Sequence, residues 1–278
     1  MSDIDQACAE IVRRSRSNFA LSFRFLPTPQ RRAMNTLYAF CRHTDDLADG
    51  PGSVEERRAA LAAWRAEITD RGVDPVIRAM VQVTIDFDLD IDLLHAVIDG
   101  CEMDLAAARF ATLDGLRHYC SLVAGAVGHL CLGIWGVRGG QADALAEDLG
   151  LAAQLTNILR DIGGDAAAGR MYLPLDMLRR HQVEESDVLQ CRASTGLQAC
   201  LMELATLAAD AYDRADVDAF PAAQRRRLWP ARIIRRIYRR LLDEIVARGF
   251  PLRERTRLSG FTKARLIAPI LLRRLVPL

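Results

Sequence analysis

Two short acidic runs hold the chemistry available to this sequence. They are Asp45-Asp46-Leu47-Ala48-Asp49 and, far downstream, Asp161-Ile162-Gly163-Gly164-Asp165. In each, two aspartates stand four residues apart, which on a helix places them on one face and one turn from each other. Like charges so placed repel and weaken a bare helix. Hard divalent cations relieve such repulsion: Mg²⁺ binds one or two carboxylates and fills its remaining positions with water and substrate phosphate oxygens. Gln154 and Asn157 precede the second run on the same face, and arginine lies close to both runs, as Arg42, Arg160 and Arg170. Guanidinium groups stay charged and bind two oxygens at once, the property a diphosphate ligand requires. Solvated helix ends with weak surface ion pairs are the competing account of the same residues, and at this level both stand.

The elements that must carry these side chains read almost entirely as helix. Apolar residues recur every three to four positions over 29–48, 55–68, 89–105, 113–135, 142–161, 196–215 and 222–248, and alternating runs are nearly absent. Asp49-Gly50-Pro51-Gly52-Ser53, Asp70-Arg71-Gly72, Arg138-Gly139-Gly140 and Phe220-Pro221 break the stripes with ordinary turn chemistry. None is long enough for a flexible linker, so the expectation is one all-α domain over 1–278.

Composition sets further bounds. The 278 residues are 50% apolar and 26% charged, with 37 basic and 36 acidic side chains. A formal charge of +1 provides no global field for a nucleic-acid backbone, so any anion site is local. Seven cysteines without a CxxC pair, and no apolar leader after Met1, favour a reduced, cytoplasmic setting. No stretch reaches the roughly 18–20 apolar residues of a membrane span. The segment 266–278 mixes large aliphatics with Arg273 and Arg274; it reads first as a final helix docked on the domain, with peripheral contact to a membrane surface as the alternative.

Five ordered motifs resemble the squalene and phytoene synthase family: Ser15-Arg-Ser-Asn-Phe19; Tyr38-Ala-Phe-Cys-Arg42 leading into Asp45–Asp49; Tyr119-Cys-Ser-Leu-Val-Ala-Gly125 with Val127-Gly128; Gln154-Leu-Thr-Asn-Ile-Leu-Arg-Asp161; and Gly169-Arg-Met-Tyr-Leu-Pro174. The resemblance runs from about Ser15 to Arg255. It implies a helical isoprenoid synthase bundle around a deep apolar cavity, and Mg²⁺-dependent head-to-head condensation of two prenyl diphosphates. By that resemblance Asp45, Asp49, Asn157, Asp161 and Asp165 match metal-binding positions, and Arg42, Arg170, Tyr238 and Arg255 match positions that hold diphosphate oxygens. Tyr38 and Tyr119 match hydroxyls at the reaction centre. Phe19 and Phe23 match rings near the ionising carbon, and Ser15, Ser17 and Gln154 fall in the substrate-binding motifs. The sequence departs at Asn18, where a small hydroxyl residue is usual, and at Gly164, where an acidic residue commonly precedes the last aspartate.

Elementary chemistry asks for the same parts. Ionising an allylic diphosphate demands positive charge at the leaving group, and the carbocation left behind demands walls free of water. Phe19, Phe23, Leu122, Val123, Val127 and Leu155 are candidate wall residues, with core packing as the alternative account of each ring. Closing a cyclopropane also releases a proton. His43 falls off the aspartate face and is expected to be exposed, while His118 and His129 read at least as well as packing residues as they do as bases, so the released diphosphate, oriented by Tyr119 or Tyr38, is the expected acceptor. The Glu-x-x-His repeats of di-iron bundles, the alternating ligands of an EF-hand and a dinucleotide-binding GxGxxG are all missing.

Without a place for nicotinamide, the expectation is an enzyme that stops at the cyclopropyl diphosphate made from two farnesyl diphosphates. Cys101-Glu-Met-Asp104 and Tyr172-Leu-Pro174 are similar to that bacterial branch of the family. A synthase joining two geranylgeranyl diphosphates to phytoene is the close alternative, and an inactive helical assembly partner is the alternative of a different class.

Overall fold

Helix-start chemistry accounts for most of the observed boundaries. In the computed structural model, which describes residues 3–15, 20–70, 72–105 and 108–275, fourteen α-helices and no strand occur among the described residues. Helix α1 spans Asp3–Ser15 and a 3₁₀ turn spans Ala20–Phe25; α2 (Thr28–Asp49) has Pro29 in its first turn, where a missing N–H costs nothing. Ser53 and Glu56 form a reciprocal capping box at the start of α3 (Val54–Thr69), and Asp74 caps α4 (Pro75–Asp86). Next come α5 (Asp92–Asp104), α6 (Leu113–Cys120), a single π-helical turn at Ser121–Gly125, α7 (Ala126–Ile134) and the long α8 (Gly140–Ala167). Short α9 (Leu175–Arg180) and α10 (Glu185–Leu189) lead to α11 (Thr195–Arg214), α12 (Ala222–Arg225), α13 (Trp229–Ala247) and α14 (Gly260–Leu275).

Three of the periodic stripes resolve into something finer. The stripe over 113–135 contains the π turn, a feature often found at functional positions. The stripe over 222–248 breaks before Trp229-Pro230, because proline starts a helix more readily than it continues one. The stripe over 142–161 belongs to a helix that runs on to Ala167, through both glycines of the second acidic motif. Each glycine costs about 1 kcal/mol in a helix interior. At Gly163 the compensation is close packing: a Cβ there would lie 2.3 Å from the carbonyl oxygen of Leu252. Gly164 faces open space, so no packing demand accounts for the lack of an acidic residue there.

Helix α8 is the axis of the bundle, packed against α7, α11, α13 and the π turn, while α2 gathers α1, α3, α4 and α5. Their buried faces merge into one contiguous apolar core. Ile267 and Ile270 of α14 are buried and that helix packs on α13, which agrees with the reading of a docked final helix. Among the described residues no helix is long and apolar enough to cross a membrane.

Candidate active site

The face of α8 that carries the second acidic motif continues as the wall of a cavity. At three- to four-residue spacing it presents Asp165, Asp161, Asn157, Gln154, Gly150 and Ala146, changing from acidic to amide to small apolar over about 24–30 Å of helix. On α2 the stripe Asp49, Asp45, Cys41 and Tyr38 repeats the order. The cavity has a volume of about 230 Å³, and α13 closes it with Tyr238, Ile234 and Ala231. Val123 and Val127 line it as expected, whereas Phe23 and Leu155 are buried beside it in the core, Phe23 edge-on to Tyr38 with ring centroids 6.5 Å apart.

In each acidic pair one carboxylate is held by guanidinium and the other is not. Asp161 accepts from Arg255, at 2.7 Å to Nε and 3.1 Å to Nη2, and from Arg160 at 2.8 Å. Arg160 also interacts electrostatically with the buried Tyr238 hydroxyl. The approach of the 252–253 backbone to Gly163 brings Arg255 to this place. Asp49 accepts from Arg170 at 2.5 Å, a contact that ties the loop after α8 to α2. Burial opposes the positive charge on Arg170, but Asp49 outweighs it and raises the guanidinium pKa.

Asp45 and Asp165 have no ion pair with any described residue. Asp45 opens onto solvent at the cavity mouth yet is crowded by protein on its other sides. That crowding raises its pKa to about 6; the Cys101 thiol at 3.5 Å works against the rise and Asp49 adds to it. Burial and the neighbouring Asp161 raise Asp165 to about 7, against the pull of Arg170. Asn157 donates to Gln154 at 3.3 Å, but its own Oδ1 is buried without a partner.

These donors fit a hard cation. All are oxygens, two are carboxylates lacking a counter-charge, and one is an amide oxygen left unsatisfied in a place where desolvation is costly. Among the described residues no three His, Cys, Asp or Glu side chains converge into a closed cage. Mg²⁺ characteristically keeps several ligand positions for water and phosphate, so an open arrangement suits it.

The residues that sequence reasoning passed over are Asp104 and Tyr172. Asp104, at the end of α5, accepts from Tyr119 at 3.0 Å and from Tyr172 at 2.7 Å, and Phe110 packs against both rings. Burial raises the Asp104 pKa in spite of the two hydroxyls. It also drives the Tyr119 pKa well up, so that hydroxyl stays protonated and fixed as a donor. Asp104 interacts electrostatically with Asp45, Asp49 and Asp165, so it belongs to the same acidic mouth. The signal was in the quoted motifs, since Asp104 follows Cys101 by one helical turn and Tyr172 follows Arg170 by two residues.

Other expected residues are placed less centrally. Arg42 is exposed and pairs at 2.5 Å with Asp46 rather than with the site pair. Ser15 ends α1 with its hydroxyl on the Val12 carbonyl at 2.8 Å, and Ser17 and Phe19 lie outside the described residues. His43 is half-buried rather than exposed, because its ring packs 4.3 Å from that of Trp64. His118 is exposed rather than packed, and His129 is held by Glu147 at 3.0 Å.

Known proteins share this chain's sequence pattern and fold. The squalene/phytoene synthase family profile matches residues 12–262. A presqualene diphosphate synthase of Rhodopseudomonas palustris is 38% identical over 84% of this chain and 85% of its own length. A chloroplastic phytoene synthase of Zea mays is 33% identical over 87% of this chain, which spans only 59% of that relative. The crystal structure of a ligand-bound dehydrosqualene synthase superposes with a TM-score of 0.85 at 28% identity, covering 96% of this chain and 95% of the other.

Proposed function

The chain belongs to the squalene/phytoene synthase family, and we propose that it is a single-domain prenyltransferase joining two farnesyl diphosphates head to head (1'-2-3) into presqualene diphosphate. The observation that carries this reading is the pair of aspartate faces, with arginine beside each, at the mouth of a cavity whose remaining wall is apolar. Asp45, Asp49, Asn157, Asp161 and Asp165 would hold Mg²⁺. When bound, the metal supplies positive charge to the departing diphosphate.

The chain's own residues do the rest. Arg170 and Arg255 neutralise Asp49 and Asp161 here, and a diphosphate offers the same guanidiniums two-oxygen partners of higher charge. Breaking the allylic C–O bond sends the electron pair out with diphosphate. The cation formed faces Val123, Val127 and Ile234, which keep water from capturing it. Attack by the second substrate's double bond on that carbon forms the new C–C bond, and loss of a proton from the same carbon closes the ring. The released diphosphate takes the proton, oriented by the Tyr38 hydroxyl at the cavity wall or by Tyr119 once its hydroxyl turns from Asp104.

The test is mass spectrometry of products from purified protein with Mg²⁺ and farnesyl diphosphate, and separately with geranylgeranyl diphosphate, both without nicotinamide. A C30 cyclopropyl diphosphate is expected. A C40 hydrocarbon instead would establish phytoene synthesis, the second reading favoured by the maize relative, and no turnover would leave a helical assembly partner. Peripheral membrane contact through α14 is part of the same proposal. It rests on Phe261 and Leu272, exposed by 79% and 61% beside basic residues, and sedimentation with anionic vesicles checks it.

A further inference from the structure

At the far end of the cavity one residue, Trp135, also lines a second space. Trp135 lines the inner cavity together with Leu132, Leu145 and Ala231, and it also lines a separate outer cleft of about 680 Å³ with Gln30, Arg227 and Trp229. Trp135, only 3% exposed, is the lining residue common to the two spaces. A second outer hollow, of about 350 Å³, touches the inner cavity only through Leu132.

The backbone at this residue is pinned. Trp135 caps α7, Gly136 follows at φ +72°, and the Gly136 and Val137 amides bond the Gly133 and Leu132 carbonyls at 2.9 Å each. This is a Schellman end, in which the left-handed residue favours glycine. Gln30 donates to the Ile134 carbonyl at 3.1 Å and Arg227 to the Gly136 carbonyl at 2.8 Å, stapling the turn on both flanks. With the backbone held, the depth of the cavity is set by the volume of the side chain at 135. The indole N–H is buried without a partner, a penalty a leucine would not carry. The position therefore favours a ring for its bulk and not for a hydrogen bond.

We infer that Trp135 is the residue that limits the length of prenyl chain this cavity admits, excluding chains longer than farnesyl because their last unit would have to pass through the indole into the outer cleft. The inference rests on the proposed use of the cavity for prenyl diphosphates. One further isoprene unit lengthens an extended chain by about 5 Å, from C–C bonds of ~1.5 Å. The outer cleft has the room for that unit, and Trp135 is the residue that borders both it and the cavity.

The experiment measures kcat/KM for farnesyl and geranylgeranyl diphosphates in wild type, Trp135→Phe, Trp135→Leu and Trp135→Ala. Binding of a non-hydrolysable thiodiphosphate analogue of each chain length is measured alongside. The expected result is a shift of the geranylgeranyl-to-farnesyl ratio of at least about tenfold in Trp135→Ala and less in Trp135→Leu and Trp135→Phe, the scale of discrimination apolar pocket volume provides. The same order is expected in analogue binding. Trp135→Leu and Trp135→Phe keep an apolar side chain in the floor, so they carry the test if the alanine variant does not fold. An unchanged ratio in folded variants, or a wild type that already prefers the longer chain, overturns the role of Trp135 while prenyl transfer stands. Failure of wild type to bind or turn over either chain would strike the proposed function itself.

Discussion

The aspartate pairs of α2 and α8 have the same spacing and opposite settings. The α8 pair is organised in place: Asp161 is gripped by its chain neighbour Arg160 and by Arg255, which Gly163 allows to approach. The α2 pair is held from a distance: among the described residues its one ion pair is Arg170 with Asp49, and Asp45 has only the Cys101 thiol. What the pairs share is one carboxylate without a counter-charge, Asp45 on one side and Asp165 on the other. The difference teaches that identical motifs divide the work. The α8 side is a fixed platform, and the α2 side depends on a partner carried by the loop that follows α8.

Charge removal separates the two sides most sharply. Asp45→Asn and Asp161→Asn should each reduce turnover by about 10²–10³-fold or more, the scale seen when one group stabilising a developing charge is lost. Their melting temperatures should move in opposite directions. Asp45→Asn relieves crowding and should raise Tm slightly, whereas Asp161→Asn leaves Arg160 and Arg255 without a carboxylate and should lower Tm by a few degrees. Equal shifts in thermal melts would erase the distinction between platform and partner-held side.

Asp104 stands between the pairs and is the next lever. In Asp104→Asn the amide has a single oxygen for two tyrosine hydroxyls, so Tyr119 loses its fixed orientation. Steady-state kinetics should show a loss of about 10–100-fold, the scale seen for outer-shell partners of metal sites, expressed mainly in kcat. An effect confined to KM would mean that Asp104 shapes binding only.

How far the sequence went follows from which of these contacts are local. Two aspartates four apart on a helix are a local pattern, and so is the periodicity behind α2, α5, α8, α11 and α13, so both were legible. Asp104 and Tyr172 meet across α5 and the loop after α8, a pairing that no spacing within one helix encodes. Trp135 read as one more apolar residue of a long stripe, and its place as the residue common to two spaces depends on the other helices that form them. Helix through Gly163-Gly164 was expected from the aspartate spacing against local propensity, and what stayed illegible is the compensating contact, which comes from Leu252 far along the chain. Arg42 marks a limit of local spacing: it pairs with Asp46 in the ligand-free chain, as Arg170 and Arg255 pair with Asp49 and Asp161, and adjacency to the motif does not say which oxygens it meets when a diphosphate is bound.

Gly163→Ala probes the platform alone. A methyl group there has to displace the Leu252 backbone, and with it Arg255, without changing any charge. Turnover should fall by about tenfold while the diphosphate affinity of the α2 side is retained, since an oriented contact is lost and a charge is not. Substrate titration of the variant checks this, and a wild-type rate would show that Arg255 reaches Asp161 without the close approach.

The smallest effect is on stability against pH, and it sharpens the comparison by ranking the two unpaired carboxylates. Both have folded-state pKa values raised from 3.8, Asp45 to about 6 and Asp165 to about 7. A raised carboxylate binds its proton more tightly in the folded chain than in the unfolded one, so its contribution is greatest at low pH and is lost as pH rises through the folded value. Ligand-free protein should therefore melt higher near pH 5 than near pH 8. Glu10, lowered to about 2 by Arg13 and Arg14, works the other way but only below about pH 4.5, outside this window. His129, raised by Glu147, adds to the loss above pH 6.5, so the difference between variants and not the wild-type slope is the readout. Asp45→Asn should remove the part of the decline that begins above the ordinary carboxylate value and is complete just past pH 6, and Asp165→Asn the part that runs on to just past pH 7. Mg²⁺ with inorganic diphosphate should flatten the wild-type curve by binding the ionised carboxylates of the folded chain. A decline that survives in both variants would place the crowding elsewhere in the mouth, with Asp104 the remaining carboxylate whose pKa burial raises.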